Sequence, residues 1–428
     1  MTSTDLYTER LTTVEESDFD PMTPEFIAHP MEELEKVREK NPVAHSRTWG
    51  GFWALLNRDD IVAAGRNHEQ FRNHPRHVVP GNLTSNTRPL MHVDQPEHTV
   101  FRNPIQDVLN SEELRQEVTE AVRRRARELV RDLVESGSGD LCRQYAEPLM
   151  GQAIVSTFHI EDVSGDEFDE MVYKYTTAGQ GAAVAGKTEE REKMFAYNRW
   201  LEEVAERLLE DRRTNPRDIT NDMATALIQL EQDGTVANEA KLVGALRQPF
   251  VIVWLATSHA LGNMFLRLMT DRDLQRQLRE NPELISVSVD EFLRMDQPQL
   301  GFARTAKDDI EVGGRVIEAG APVAMVFPAA NRDPKYFEDP HTFKIGRSPN
   351  PHLAFGIGIH SCPGHKIAKS IVEIALYELI TGTGDLELTV SEDEIPKEHW
   401  PFRAPLTLPT AVAEASSAHA ELAEATAQ

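Results

Sequence analysis

Residues 240–269 read as one long helix that is apolar along most of its length, and a helix without a polar face has to be covered on every side. Whatever this chain builds is therefore expected to be built around that helix. Pro249 lies inside it and removes one backbone hydrogen bond. Its longest apolar stretch, residues 250–256, is far shorter than the roughly 20 residues of a membrane span, so the cover is expected to be protein. A second helix carries its own boundaries: Ser111-Glu-Glu opens it, Val118, Val122, Ala126, Leu129 and Leu133 recur at helical spacing, and Gly137 stops it. The Arg123-Arg124-Arg125 run inside that helix reads as its solvated face. Strand-like pieces are short, at 52–56, 310–312, 316–317, 323–327 and 386–390, with turn signals at Gly313-Gly314 and Ala319-Gly320. The fold class predicted is mainly α with small β-sheets.

No linker, repeat or composition break divides the chain, so one domain is expected over residues 26–410, between a polar N-terminal extension at 1–25 and a disordered tail at 411–428. The 45 Lys and Arg against 70 Asp and Glu leave −25, a field that repels phosphate backbones and anionic lipid surfaces, so neither nucleic acid nor membrane is an expected partner. Two cysteines, Cys142 and Cys362, are too few for a disulfide scaffold or a zinc cluster of paired Cys. The start, Met1-Thr-Ser-Thr-Asp5, lacks the basic and apolar regions of a signal peptide. A cytoplasmic monomer is the expectation.

The chemistry concentrates in residues 355–364, Phe-Gly-Ile-Gly-Ile-His-Ser-Cys-Pro-Gly. The pattern F-G-x-G-x-H-x-C-x-G arises by chance at a given site on the order of once in 10⁸. Its glycines let backbone approach a flat cofactor, and its cysteine offers a thiolate to a metal. A helix starting at residues 363–365 would turn its N–H groups toward the sulfur and lower the thiol pKa. Cys142 sits in a helical stretch without a motif and reads as a small buried thiol.

On this loop the sequence resembles the cytochrome P450 superfamily, and the resemblance extends over nearly the whole chain. It implies a fold that holds heme b between a long distal helix and a proximal cysteine loop and helix, with Cys362 as axial iron ligand and Phe355 and Gly364 as loop residues against the heme. Glu291-Phe-Leu-Arg294 matches the family's E-x-x-R, and with Arg332 in Ala330-Asn331-Arg332-Asp333-Pro334 it resembles a structural Glu/Arg/Arg cluster bracing the proximal side. His98 and Arg102 match the H-x-x-x-R of bacterial relatives, and with Arg304 and His360 they are the implied donors to the heme propionates.

The chain departs from the family in the central helix. Counting back 35 residues from Glu291, the interval the resemblance implies, lands on Ala256 where the family has Thr, and Leu255 stands for the preceding acid. Those groups normally supply protons for O–O cleavage, which Leu and Ala cannot do. Thr257 and His259 are the nearest polar residues, His259 reading as a helix-packing histidine rather than a heme-facing one. Gln248 should project into the distal pocket, to bind substrate or to satisfy the carbonyl freed by Pro249. The expected pocket walls are Gln248, Val251, Ile252, Leu255, Ala256, Leu300, Phe302 and Phe402, with Trp254 nearby and flexible loops at 76–90 and 177–190.

Three functions follow. The first is a monooxygenase that hydroxylates or O-demethylates a small, largely apolar substrate of aromatic or terpenoid size, using O2 and electrons from a ferredoxin and ferredoxin reductase. The second is a peroxide-driven enzyme, or one catalysing coupling, rearrangement or dehydration. The third is a noncatalytic heme or ligand-binding protein. Arg102, His365, Lys366 and Lys369 are candidates for a basic patch that would receive an acidic ferredoxin.

Overall fold

In a computed structural model the described residues are 11–81, 88–185 and 188–415, with the side chains of 180–185 excepted. The central helix is Glu239–Thr270, 32 residues, opened by the Asn238 side chain accepting from the Lys241 N–H. It is buried along most of its length and packs against the helices Glu147–Thr157, Thr188–Thr214, Leu284–Asp296 and His365–Gly382. This is the all-round cover that its apolar surface demands. The Tyr145 ring lies 5.7 Å from that of Phe265, and its hydroxyl donates to the Ala375 carbonyl at 2.8 Å, tying the central helix to the helix that follows the cysteine loop.

The helix Glu112–Ser136 has the caps its sequence announces: Ser111 Oγ accepts from Leu114 N–H, and Gly137 ends it at φ 68°. Its arginine run is only partly solvated. Arg123 Nη1 and Arg127 Nε hold the buried Glu378 carboxylate at 2.7 and 3.0 Å, clamping this helix to His365–Gly382, while Arg124 alone of the run is exposed.

A five-stranded sheet orders Val43–Ser46, Phe52–Leu55, Pro322–Met325, Phe302–Ala306 and Phe71–Arg72, and a three-stranded one orders Ser138–Asp140, Pro409–Glu414 and Thr383–Leu388. The hairpin Ile310–Val312 to Arg315–Ile317 turns at Gly313 and Gly314, both at positive φ, as a two-residue hairpin of this twist requires.

Several expectations need correction. Pro409–Glu414 is a paired strand, so the tail expected from residue 411 starts no earlier than 415. Residues 11–25 are packed rather than extended: Thr12 Oγ1 meets His45 Nε2 at 2.8 Å, and the Phe19 ring packs against Phe26, Phe52 and Trp400. The flexible loop expected at 177–190 is largely the end of the helix Gly165–Ala185 and the start of Thr188–Thr214. In the loop expected at 76–90, residues 82–87 lie outside the described residues.

The E-x-x-R pair is fully buried, both side chains at 0% exposure, and joined by two hydrogen bonds of 2.8 Å. Its third member is Arg347, whose Nε lies 2.9 and 3.0 Å from the two Glu291 oxygens. Arg332, expected in that place, instead donates Nη2 to the Met295 carbonyl at 2.7 Å. Burial, with Arg403, Arg267 and Arg294 adding to it, pushes its guanidinium down to about 9. Glu291 also accepts from Lys344 N–H and Asn350 Nδ2, and Arg294 donates to the Asn331, Pro340 and Thr342 carbonyls, so the cluster stitches the segment leading to the cysteine loop onto the helix Leu284–Asp296.

Removing the carboxylate strands two buried cations, so Glu291→Ala is expected to cost about 3–5 kcal/mol in denaturant unfolding of the holoprotein. Arg347→Met should cost more than Arg332→Met. The reverse order would show that Arg332 is the structural partner after all.

Candidate functional site

The cysteine loop is shaped by backbone contact. Gly356 and Gly358 hold φ of 72° and 79°, values that favour glycine. A Cβ on Gly358 would lie 2.0 Å from the Gly65 carbonyl oxygen, and one on Gly65 would meet the Ile357 side chain at 2.4 Å, so the loop is seated directly on the helix Arg58–Arg66. Cys362 N–H donates to the Phe355 carbonyl at 2.8 Å and closes the loop on itself. Phe355 is part-buried, its ring 6.2 Å from that of His352 and 6.0 Å from that of His365.

Gly364 caps the helix His365–Gly382, and its N–H points at the Cys362 sulfur. The expected lowering of this thiol is not the net result. Burial pushes it up, and the Gly364 N–H and the Arg102 guanidinium only oppose that push. Cys142 behaves as expected of an inert thiol: it is buried in a π-helical turn, its Sγ faces the Pro405 carbonyl at 3.6 Å, and burial pushes it well up.

The four expected carboxylate donors converge beside this loop. The His98 and His360 rings are 4.1 Å apart, and the charges of Arg102 and Arg304 act on both. His98, at 1% exposure, has neither ring nitrogen hydrogen-bonded, and His360 Nε2 is likewise without a partner. Desolvation holds His98 at about 4 and His360 at about 2, so both imidazoles are neutral near pH 7. Arg304 is buried, donates to the Ala303 carbonyl at 2.9 Å and is pushed down to about 10. Arg102 gives its Nε to Gln106 at 2.8 Å.

Buried polar atoms left without partners cost about 1–3 kcal/mol each. A ligand carrying carboxylates between these side chains, and a flat body against the cysteine loop, would satisfy them. Heme meets both demands, so the residues fit the cofactor that the sequence implied.

Beyond the loop lies a cavity of about 500 Å³. Gln248, Val251, Ile252, Leu255, Phe302 and Phe402 line it as expected. Phe302 links it to the cysteine loop, its ring 6.2 Å from Phe327, which in turn abuts Gly356. Ala256 and Leu300 are not among its walls: Leu300, 1% exposed, packs in a separate cluster with Phe26, Phe52 and Trp400. Trp254 turns away, donating Nε1 to Asp169 at 2.7 Å. His259 packs edge-on against Phe402 with ring centroids 6.0 Å apart, and burial holds it at about 4 while its Nδ1 has no partner. Sequence reasoning missed Arg88, Tyr175 and Arg247 on the cavity wall. Arg247 directly precedes Gln248 and was open to detection as a cation in an otherwise apolar helix segment.

Comparison with known proteins agrees with this geometry. Residues 186–398 match the family described as Cytochrome P450. Similar curated proteins include polyketide biosynthesis cytochrome P450 PksS of Bacillus subtilis, 26% identical over 88% of this chain and 94% of that protein. Biflaviolin synthase CYP158A1 of Streptomyces coelicolor is 28% identical over 92% of this chain and 93% of that protein. Among solved structures, that of the Bacillus subtilis bacillaene polyketide synthase cytochrome P450 PksS superposes with a TM-score of 0.81 and 26% identity, covering 92% of this chain and 100% of the other. That of CalO2 reaches a TM-score of 0.81 at 21% identity over 94% of this chain and 100% of the other, a likeness of fold. With the cysteine loop, the unpartnered histidines beside it and these likenesses together, the chain belongs to the cytochrome P450 family and binds heme b.

Proposed function

We propose that the protein is a monooxygenase that hydroxylates or O-demethylates a small, largely apolar substrate in the cytoplasm, with Cys362 as the thiolate ligand and a ferredoxin as electron donor. The observation that carries this reading is the convergence of the buried, unpartnered His98 and the unpartnered Nε2 of the part-buried His360 with Arg102 and Arg304 beside the Cys362 loop, with an apolar-walled cavity adjoining it. Bound heme supplies the oxygen-activating chemistry, and a thiolate ligand favours O–O cleavage.

The chain's own residues supply the rest. His98, with neither ring nitrogen bonded, has an N–H for a propionate, His360 presents its unpartnered Nε2 beside it, and the Arg102 and Arg304 charges lie alongside. Val251, Ile252, Leu255 and Phe302 keep water from the cavity wall and orient an apolar body by shape. Gln248 Oε1, buried and unpartnered, is positioned to accept from a substrate donor. For ferredoxin docking, Lys369 is already committed to Asp290 at 2.8 Å, which leaves the exposed Lys366 as the better of the two lysines.

One observation favours peroxide as a second oxidant. The residues that the central helix turns into the cavity between 251 and 258 are Val251, Ile252 and Leu255, none of which carries a transferable proton, and Ser258 gives its hydroxyl back to the Trp254 carbonyl at 2.7 Å. Chemistry that starts from O2 must then draw its protons from elsewhere, whereas peroxide brings its own.

Cys362→Ser is expected to abolish the far-shifted Soret band of the reduced CO complex, and Cys142→Ser to leave it unchanged. Retention of that band in the Cys362 variant would refute the ligand assignment. The double change Leu255→Glu with Ala256→Thr should raise the fraction of reductant that ends in product with O2 by about 10²-fold or less. Product yield per NAD(P)H consumed, compared with turnover on peroxide alone, reads this out. A wild-type enzyme that is well coupled with O2 and inert with peroxide rejects the peroxide-driven reading.

A further inference from the structure

On the cavity wall, two turns before Leu255 on the central helix, stands a cation with no counter-ion among the described residues. Arg247 is 2% exposed, and its Nε and Nη2 have no hydrogen-bond partner. Its guanidinium stacks over the Tyr175 ring at 4.7 Å and lines the cavity. A second cation lies beside it: Arg88 donates a hydrogen bond to the Tyr175 hydroxyl oxygen, and its own guanidinium is pushed down to about 10 by burial. Two buried guanidiniums in one wall of a mostly apolar cavity repel each other, which neither would do at a site meant only for hydrocarbon.

Among the described residues no acid is paired with Arg247. Glu398, the one carboxylate on the cavity wall among the described residues, is pushed up to about 7 by burial, with no arginine acting to lower it, so it is not the partner of Arg247. His77 and His399 also line the cavity, and burial and neighbouring cations hold His77 well below its ordinary value, so it brings no negative charge. The internal stretches 82–87 and 180–187, whose side chains lie outside those described, contain no Asp or Glu.

We propose that the cavity takes an apolar small molecule with an anionic head, a carboxylate or phosphate monoester, and that Arg247 binds that head. This deepens the oxygenase reading and rests on it for the position of reaction. Arg247 and Leu255 are eight residues apart on one helix, about 12 Å along its axis. Val251 and Ile252 line the interval, and Phe302 marks the end toward the cysteine loop. The head is thus held at one end and the reacting carbon presented at the other, so Arg247 selects both the substrate class and the site oxidised. Arg247 donates two N–H groups that nothing else uses, the geometry a carboxylate or phosphate accepts from a guanidinium.

The test uses the holoenzyme, straight-chain carboxylates from octanoate to hexadecanoate, their methyl esters and the matching alkyl phosphates. Binding is measured by titration calorimetry and by the Soret shift. The wild type is expected to bind an acid or phosphate about 10- to 100-fold more tightly than the ester of the same chain. Arg247→Gln should abolish that preference with the CO spectrum intact, and Arg247→Lys should keep part of it. Whichever anion binds more tightly identifies the head group.

Equal binding of acid and ester by the wild type overturns the proposal without recourse to any variant, as does failure of every anion to bind. A preference that survives Arg247→Gln overturns the assignment of the head to that residue. Loss of the thiolate CO band in the wild type would instead refute the oxygenase reading, because the calorimetric preference is measured independently of it.

Discussion

A carboxylate sealed from water holds the proximal half of this molecule together. Glu291 has no exposed atom to solvate its charge, so its ionisation depends on Arg294, Arg347, the Lys344 N–H and Asn350 all being in place, and those contacts keep it below the ordinary carboxylate range. Arg294 shares its helix, while Lys344, Arg347 and Asn350 come from one stretch about 50 residues later. Residues 340–350 have little regular structure of their own and would have no other reason to lie where they do. The energetics of such a cluster are those of an assembly: complete, its attractions offset the desolvation of its charges, and with one member missing they do not. The cysteine loop follows immediately, so the position of its sulfur inherits the order of this buried network.

Much of the frame was legible because local physics decides it. Ser111 and Gly137 bound their helix by capping chemistry that needs no tertiary information, and the Gly313-Gly314 hairpin follows from the two positive φ values that only such a pair adopts readily. The central helix was legible for a different reason, since an apolar surface on all sides leaves burial as its only outcome. The loop around Cys362 stood out because it combines residue types that rarely occur together.

The misreadings share one cause: spacing along a chain says which residues share a face and not which distant residue arrives there. Arg332 and Arg347 both follow Glu291 in sequence, and only the fold brings Arg347 to its carboxylate. Arg123 looked solvated because Glu378 lies 255 residues away. Leu300 would share a face with Phe302 if both lay in one strand, yet the strand begins only at Phe302 and Leu300, ahead of it, packs in a different cluster. The significance of Arg247 was hidden for the same reason, since it lies in the fact that no carboxylate among the described residues is paired with it.

The contact between Gly65 and Gly358 bears on how the chain is made. During synthesis the helix Arg58–Arg66 leaves the ribosome well before the loop it will seat, which follows about 290 residues later. Gly358 meets the Gly65 carbonyl backbone to backbone, and the Ile357 side chain of the loop closes over Gly65, so neither glycine leaves room for a side chain of its own. Capture of the cofactor thereby waits until two stretches far apart in the sequence have found each other. An unfinished chain, however helical, has no finished pocket to load.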